Sequence, residues 1–376
     1  MMSEWKTYKL SELVEIKYGK DHKHLADGVI PVYGSGGIMR FAETHLYDRE
    51  SILIPRKGTL SNLFYLDKPF WSVDTMFYTK IKNGVHGKYL YYLLKSMDLA
   101  SMNVGSAVPS LTTEVLNKVE ISLPDLPTQR QIAQILTSLD DKIELNLQMN
   151  QTLEAMAQAI FKEWFVDFNF PGFDGELVDG LPKGWRMGKV KDVYKTTSGG
   201  TPSRTKPEFY ENGTINWVKS KELNGSFIFD TEEKITEDAV KKSSAKLIPR
   251  HSILLAMYGA TVGEYAITTK ETTCNQAICA VIEKGTFPFT YFFEYFKINR
   301  NGIIGRASGS AQQNISQALI QQLEILIPSV EVVQKYHTVV ESLFVKIENN
   351  MLDNQLYTQT RDTLLPKLMS GQLEVV

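Results

Sequence analysis

The sequence predicts a mixed α/β chain of two globular heads and two long antiparallel helices that form a coiled coil, arranged as an internal pseudo-two-fold repeat. Three observations predict it. The stretch GSAVPSLTTEVLNKVEISLP at 105–124 returns as GSAQQNISQALIQQLEILIP at 309–328, a constant offset of 204. Each copy then runs into a long helical pattern whose apolar positions alternate in steps of four and three, the mark of a heptad seam. The segments ahead of the shared stretch differ in sequence yet carry matched landmarks, as a duplication does.

The elements follow in chain order. WKTYKLSEL at 5–13 matches WRMGKVKDV at 185–193, and SILIPRKG at 51–58 matches SILLAMYG at 252–259, an apolar strand closed by glycine. The first head is expected over 1–127, with strands near 51–55, 63–66, 76–81 and 119–123 and a helix near 88–99. The second is expected over 185–330, with strands near 215–218, 252–257, 264–268 and 277–282 and a helix near 290–299. Ser110 and Thr112, like Asn314 and Ser316, suit the N-cap of a short helix. Long helices are expected over 128–166 and, with the tail, over 331–376. Their seam reads Leu139, Ile143, Asn146, Asn150, Leu153, Ala157, Ile160 and Trp164 in the first copy. In the second it reads Leu343, Ile347, Asn350, Asn354, Tyr357, Arg361, Leu364 and Leu368. Two tandem copies that embrace through one face run antiparallel, which sets Asn146 opposite Asn354 and Asn150 opposite Asn350. Asparagine in such a seam costs stability and fixes register. Residues 167–184, rich in Gly, Pro and acid, read as an extended connector. Pro366 and Gly371 are expected to end the second helix, and LEVV to form a last strand.

Composition limits the function classes. Hydrophobic residues make up 43% and charged residues 22%, ordinary for a globular protein. No apolar run is long enough to span a membrane, and the first residues lack a signal-peptide core, so a cytoplasmic protein is expected. Cys274 and Cys279 read as buried thiols. Net charge is −2, but residues 1–104 and 185–300 are each basic and 120–184 is acidic, so cations sit in two separate blocks. His22 and His24 have no carboxylate or thiol to complete a metal site. There is no Walker-type phosphate loop, no Asn-Pro-Pro-Tyr or Asp-Pro-Pro-Tyr stretch, and no credible nucleophile–base set. No intrinsic catalysis is expected.

The two head-plus-helix copies, the junction FKEWFVDFNFPGFDGELVDGLPKGW, the motif TSGGTPSR with INWVKSKEL, and the tail LLPKLMSGQLEVV together resemble the specificity subunit of type I restriction-modification systems. The resemblance covers essentially the whole chain. It implies that each head is a target recognition domain reading one half of a bipartite, asymmetric double-stranded DNA sequence. It implies that the helices set the gap and dock two modification (methyltransferase) subunits, which restriction (translocase/endonuclease) subunits join. S-adenosylmethionine is then expected on the modification subunit, with no cofactor or metal on this chain.

For a DNA reader, loops at strand ends are the candidates. In the first head they offer Tyr33, Ser35, Arg56, Lys57, Thr59, Ser61 and Asn62. Arg56 suits guanine, Asn62 suits adenine and Lys57 suits phosphate. In the second head they offer Thr201, Ser203, Arg204, Lys219, Lys221, Tyr258, Thr261, Gln312, Gln313 and Asn314. Three adjacent amides at 312–314 suit adenine, although Asn314 could cap the next helix instead. Trp71 and Trp217 read as core aromatics. Two rival readings stand beside this one: a coiled-coil scaffold whose heads bind protein rather than DNA, and a nuclease or methyltransferase with an unfamiliar site.

Overall fold

The structure, a computed structural model, describes residues 5–102, 109–305 and 314–375. The chain forms two compact units. Unit 1 comprises Met1–Ile143 with Leu356–Val376, and unit 2 comprises Glu144–Gln355.

In unit 1, β1 (Lys6–Lys9) and the single turn α1 (Leu10–Leu13) lead to β2 (Val14–Tyr18), β3 (Asp27–Gly34), β4 (Gly37–Ala42), β5 (Ser51–Pro55), β6 (Phe64–Leu66), β7 (Trp71–Ser72) and β8 (Met76–Ile81). Helices α2 (Gly87–Ser96) and α3 (Thr113–Asn117), strand β9 (Glu120–Leu123) and the long α4 (Leu126–Phe165) follow. The strands form a four-stranded sheet ordered β2-β8-β5-β6, a three-stranded sheet ordered β4-β3-β7, and the pair β1-β9. Strand β5 is buried along its length, and its side chains alternate between two cores, as a period of two requires. Leu53 joins Val32, Phe70 and Met76. Ile52 and Ile54 join Tyr89, Leu90, Leu136 and Leu368, so the sheet packs on α2 and on residues of both long helices.

In unit 2 the order is β10 (Leu177–Val178), β11 (Leu181–Pro182), β12 (Arg186–Lys189), α5 (Val190–Val193), β13 (Tyr194–Ser198), β14 (Ile215–Val218), β15 (Phe227–Ile228), β16 (Lys234–Ile235), α6 (Glu237–Lys242) and β17 (Ile253–Ala256). Then come β18 (Tyr265–Thr268), β19 (Thr273–Cys274), β20 (Ile278–Glu283), α7 (Phe289–Gly305), α8 (Gln317–Gln322), β21 (Glu324–Ile327) and α9 (Val330–Met369). The sheets are ordered β13-β20-β17-β18-β15 and β16-β14-β19. They repeat unit 1 strand for strand, including one parallel pair in each small sheet, β3 with β7 and β14 with β19. The large sheet adds the edge strand β15. Strand β17 divides its side chains as β5 does, Leu254 and Ala256 to one core and Ile253 and Leu255 to the other. The repeat reaches single glycines. A Cβ on Gly19 would lie 2.0 Å from the Val73 carbonyl oxygen, and one on Gly199 would lie 2.2 Å from that of Cys274, so both strands can close on their neighbours only with glycine there.

The long helices pair antiparallel within each unit. In unit 2, Asn146 Nδ2 donates to Asn354 Oδ1 at 2.9 Å, and Asn350 Nδ2 donates to Asn150 Oδ1 at 2.8 Å. In unit 1, Arg361 pairs with Asp140 at 2.7 Å, and Lys142 Nζ lies 5.3 Å from the centre of the Tyr357 ring. In each unit the paired residue numbers sum to about 500, as an antiparallel register demands. The remaining seam positions, Leu139, Ile143, Leu153, Ile160, Leu343, Ile347 and Leu364, are all half-buried or buried.

Three details depart from the sequence reading. Pro366 lies inside α9 rather than ending it. Its missing N–H costs one bond, but only three residues follow, so the helix continues to Met369 and stops before Gly371 at φ +71°. The described part of the LEVV tail is not a strand. Leu373 N donates to the Lys367 carbonyl at 3.1 Å, which folds the tail back on the helix end. The connector is not simply extended: it carries the β10-β11 hairpin, and Phe170 stacks on buried Trp185 at 4.8 Å.

Candidate nucleic-acid interface

In unit 2 Arg204, Lys219 and Lys221 cluster past the end of β14 in the small sheet, whereas Thr201, Tyr258 and Thr261, like the candidates of unit 1, border one end of the large sheet. There β2 and β5 end and β8 begins in unit 1, and β13 and β17 end and β20 begins in unit 2. The frame beneath them is the same. Lys57 forms an isolated bridge with Ser110, and Tyr258 forms one with Asn314. The next bond repeats too: Leu111 N donates to the Arg56 carbonyl and Ile315 N to that of Met257, both at 2.9 Å. Helix capping falls to the later residue of each pair. Thr112 Oγ1 accepts from Val115 N at 3.2 Å, and Ser316 Oγ accepts from Leu319 N at 3.1 Å. Asn314 therefore does not cap α8.

The side chains on the two frames differ. In unit 1, Lys57, Thr59 and Ser61 are exposed. The Arg56 guanidinium lies 5.4 Å from the centre of the Tyr18 ring, which is itself 51% exposed. Asn62 Nδ2 donates to the Ser35 carbonyl at 2.8 Å, tying the 56–62 loop to the turn between β3 and β4. Gly58 at φ +89° leaves room for the Ser35 hydroxyl. Tyr33 is less available than its loop position suggests. Its ring packs at 5.5 Å on Phe64, and desolvation pushes its phenol above the usual value.

In unit 2 the cations are held by carboxylates. Arg204 lies 4.3 Å from the Tyr210 ring centre and 5.2 Å from that of Trp217, and pairs with Glu233 at 2.7 Å. Lys219 pairs with Glu233 at 2.5 Å and Glu232 at 3.5 Å, and Lys221 with Glu232 at 2.7 Å. The Glu233 hydrogen bond, with its charge, holds the Lys219 ammonium above its usual range. Glu232 and Glu233 were not among the sequence candidates, and the two adjacent acids just ahead of β16 were the signal that could have found them. Thr201 meets Gln276, Ser203 meets Thr205 at 2.8 Å, and Thr261 Oγ1 reaches the Tyr258 carbonyl at 3.4 Å. The Tyr258 side chain is 40% exposed. Gln312 and Gln313 lie outside the described residues.

The buried tryptophans anchor these loops from beneath. Trp71 Nε1 donates to the Lys20 carbonyl and Trp217 Nε1 to that of Gly200, each at 3.0 Å. Those acceptors are equivalent, one residue past Gly19 and Gly199, although the two indoles come from different strands. Cys274 and Cys279 are free and buried, and burial raises both thiols, that of Cys279 to about 12. Among the described residues no group of three or more His, Cys, Asp or Glu could hold a metal ion, and no helix is long and apolar enough to cross a membrane.

The arrangement is a display surface: polar, aromatic and charged side chains on paired, rigid strand ends. The family described as "Type I restriction modification DNA specificity domain" matches residues 2–155 and again 182–356. The MjaIX specificity subunit of Methanocaldococcus jannaschii is 32% identical over 308 residues, covering 78% of this chain and 71% of that protein. The HindI specificity subunit of Haemophilus influenzae is 29% identical over 367 residues, covering 77% of this chain and 78% of that protein. The crystal structure of a type I restriction-modification S subunit from M. genitalium superposes with a TM-score of 0.71 at 15% identity, over 97% of this chain and 96% of that one, which shows a shared fold. On the two matched segments and the repeated frame that carries them, this chain belongs to the family of type I restriction-modification DNA specificity proteins.

Proposed function

We propose that this chain is the sequence-reading subunit of a type I restriction-modification complex. Each head takes one half of a split, asymmetric duplex target, and the paired helices set the gap. The helices also dock two modification subunits, which carry S-adenosylmethionine and transfer the methyl group, and restriction subunits join that core. This chain supplies specificity and no chemistry.

One observation carries the reading. The two heads repeat each other down to the backbone bonds under the strand ends, while the side chains there differ: half-buried Arg56 and exposed Lys57 at one, buried Met257 and exposed Tyr258 at the other. A shared frame with unlike displays suits a target whose halves have unlike bases. The test is a map of methylated adenines in cells with and without the gene. A split motif should depend on the gene, and an unchanged methylation pattern overturns the proposal. The assembled complex should also lose affinity steeply as salt rises, because phosphate contacts release counterions. Binding that ignores salt favours the protein-scaffold alternative.

A further inference from the structure

The β3–β4 hairpin of unit 1 exposes apolar side chains that the fold does not use. Ile38 is 53% exposed and Met39 59%. Both stand on ordered backbone. Ile38 is cross-strand to Tyr33, whose ring is wedged on Phe64. Met39 lies over Gly34, where a Cβ would come within 2.5 Å of its sulfur, so the glycine makes room for it. The hairpin turn is bonded to the 56–62 loop through Asn62 and Ser35. The apolar pair is therefore continuous with the arginine, lysine and amide already placed at this strand end.

The second head shows what is special about this place. Its equivalent strands, β14 and β16, are joined not by a tight turn but by residues 219–233. That connection carries Lys219, Lys221, Glu232 and Glu233 in ion pairs. One scaffold position is thus apolar in one head and charged in the other. A duplex has one apolar group on its major-groove edges, the C5-methyl of thymine, and apolar side chains are what recognise it. The exposed apolar residues of the hairpin, which also include Phe41 and Val29, stand among Arg40, glycines and the amide of Asn62, and this mixed surface suits a base edge with polar atoms beside its methyl better than a wholly apolar partner face.

We propose that Ile38 and Met39 read thymine methyl groups in the half-site taken by the first head. This rests on the DNA-reading function proposed above. The probe is a set of duplexes carrying the mapped target, in which each thymine of either half-site is replaced in turn by deoxyuridine, which lacks only the methyl. Binding is measured at fixed salt with the full chain assembled with its modification subunits. Wild type should lose about fourfold in affinity at one or two thymines, all in the same half-site, the effect of one buried methyl. The Ile38→Asn/Met39→Gln variant should bind the thymine and deoxyuridine duplexes alike at those positions and keep its discrimination in the other half-site. Both side chains are exposed, so its thermal unfolding should match wild type; if it does not, Met39→Gln alone takes its place. The proposal is overturned if wild type ignores the methyl at every thymine, if the variant discriminates as wild type does, or if the variant only weakens assembly with the modification subunits. Failure of wild type to bind any duplex instead counts against the DNA-reading function itself.

Discussion

Glu294 shows how much one side chain can cost when its surroundings are built for something else. It sits on α7 with no exposed surface, and neither carboxyl oxygen has a partner. Burial pushes its carboxyl up to about 7, Lys297 pulls down, and Glu154 on α4 pushes up. Its charge also acts on the buried hydroxyl of Tyr336 on α9, likewise without a partner, and on Tyr265 on β18. The folded value lies above the ordinary 4.5 of an unfolded glutamate, so the native state holds the proton longer. Stability from this group is therefore full below about pH 4.5 and is lost as pH rises through about 7, a change on the order of 3 kcal/mol. Unfolding of wild type followed from pH 5 to 8 should show that decline, and Glu294→Gln should flatten it. A slope that survives the substitution assigns the decline to another group. Nothing in the sequence marked Glu294, because a lone acid in FTYFFEYFKINR is as consistent with a solvent-facing position as with a buried one.

At the scale of the element, the helix seam was the most legible part of the chain, and the heads were the least. A heptad pattern states its own register, and the offset of 204 then dictated which asparagines meet. The helices expected over 128–166 and 331–369 form over Leu126–Phe165 and Val330–Met369. Strands with apolar runs, such as β5 from Ile52 onward and Ile253–Ala256, were equally plain. The β3–β4 hairpin was not, because a register shift between Val32 and Tyr33 breaks its alternation and Val29, Ile38, Met39 and Phe41 face outward. Strands of two residues, such as β7 and β19, are too short to show any period. The asparagine layer gives this scale its prediction. Asn350 is fully buried, and its Oδ1 has no partner. Asn150→Leu alone should destabilise by about 1–3 kcal/mol, because it strands the Asn350 donor as well. Asn150→Leu with Asn350→Leu should recover that loss and exceed wild type, since it removes every unpaired polar atom of the pair and adds apolar burial. Chemical denaturation of the three proteins checks both signs. A double variant less stable than the single would show that the amide pair is a net gain.

Over the whole molecule, the division into compact units does not follow the chain. Residues up to Ile143 of α4 and from Leu356 of α9 belong to unit 1, and the rest of both helices belongs to unit 2. A linear reading divided the chain into head, helix, connector, head and helix, because sequence order hides which head each half of a helix packs on. The side chains decide it: Leu136 and Leu368 enter the core of the first head, and Ala157 and Phe344 that of the second. Both helices therefore change allegiance near Ile143 and Leu356, and that is where an insertion would least disturb either core. One heptad placed after Ile143 and another before Leu356 keeps the seam in phase. Seven residues lengthen each helix by about 10.5 Å, close to three base pairs of duplex at 3.4 Å each. If the helices set the gap, the methylated motif of this variant should keep both half-sites and lengthen its spacer by about three base pairs. Sequencing that reads adenine methylation in cells carrying the variant measures both quantities together. An unchanged spacer would mean that the gap is set elsewhere, and altered half-sites would mean that base reading depends on the helices as well as on the strand ends.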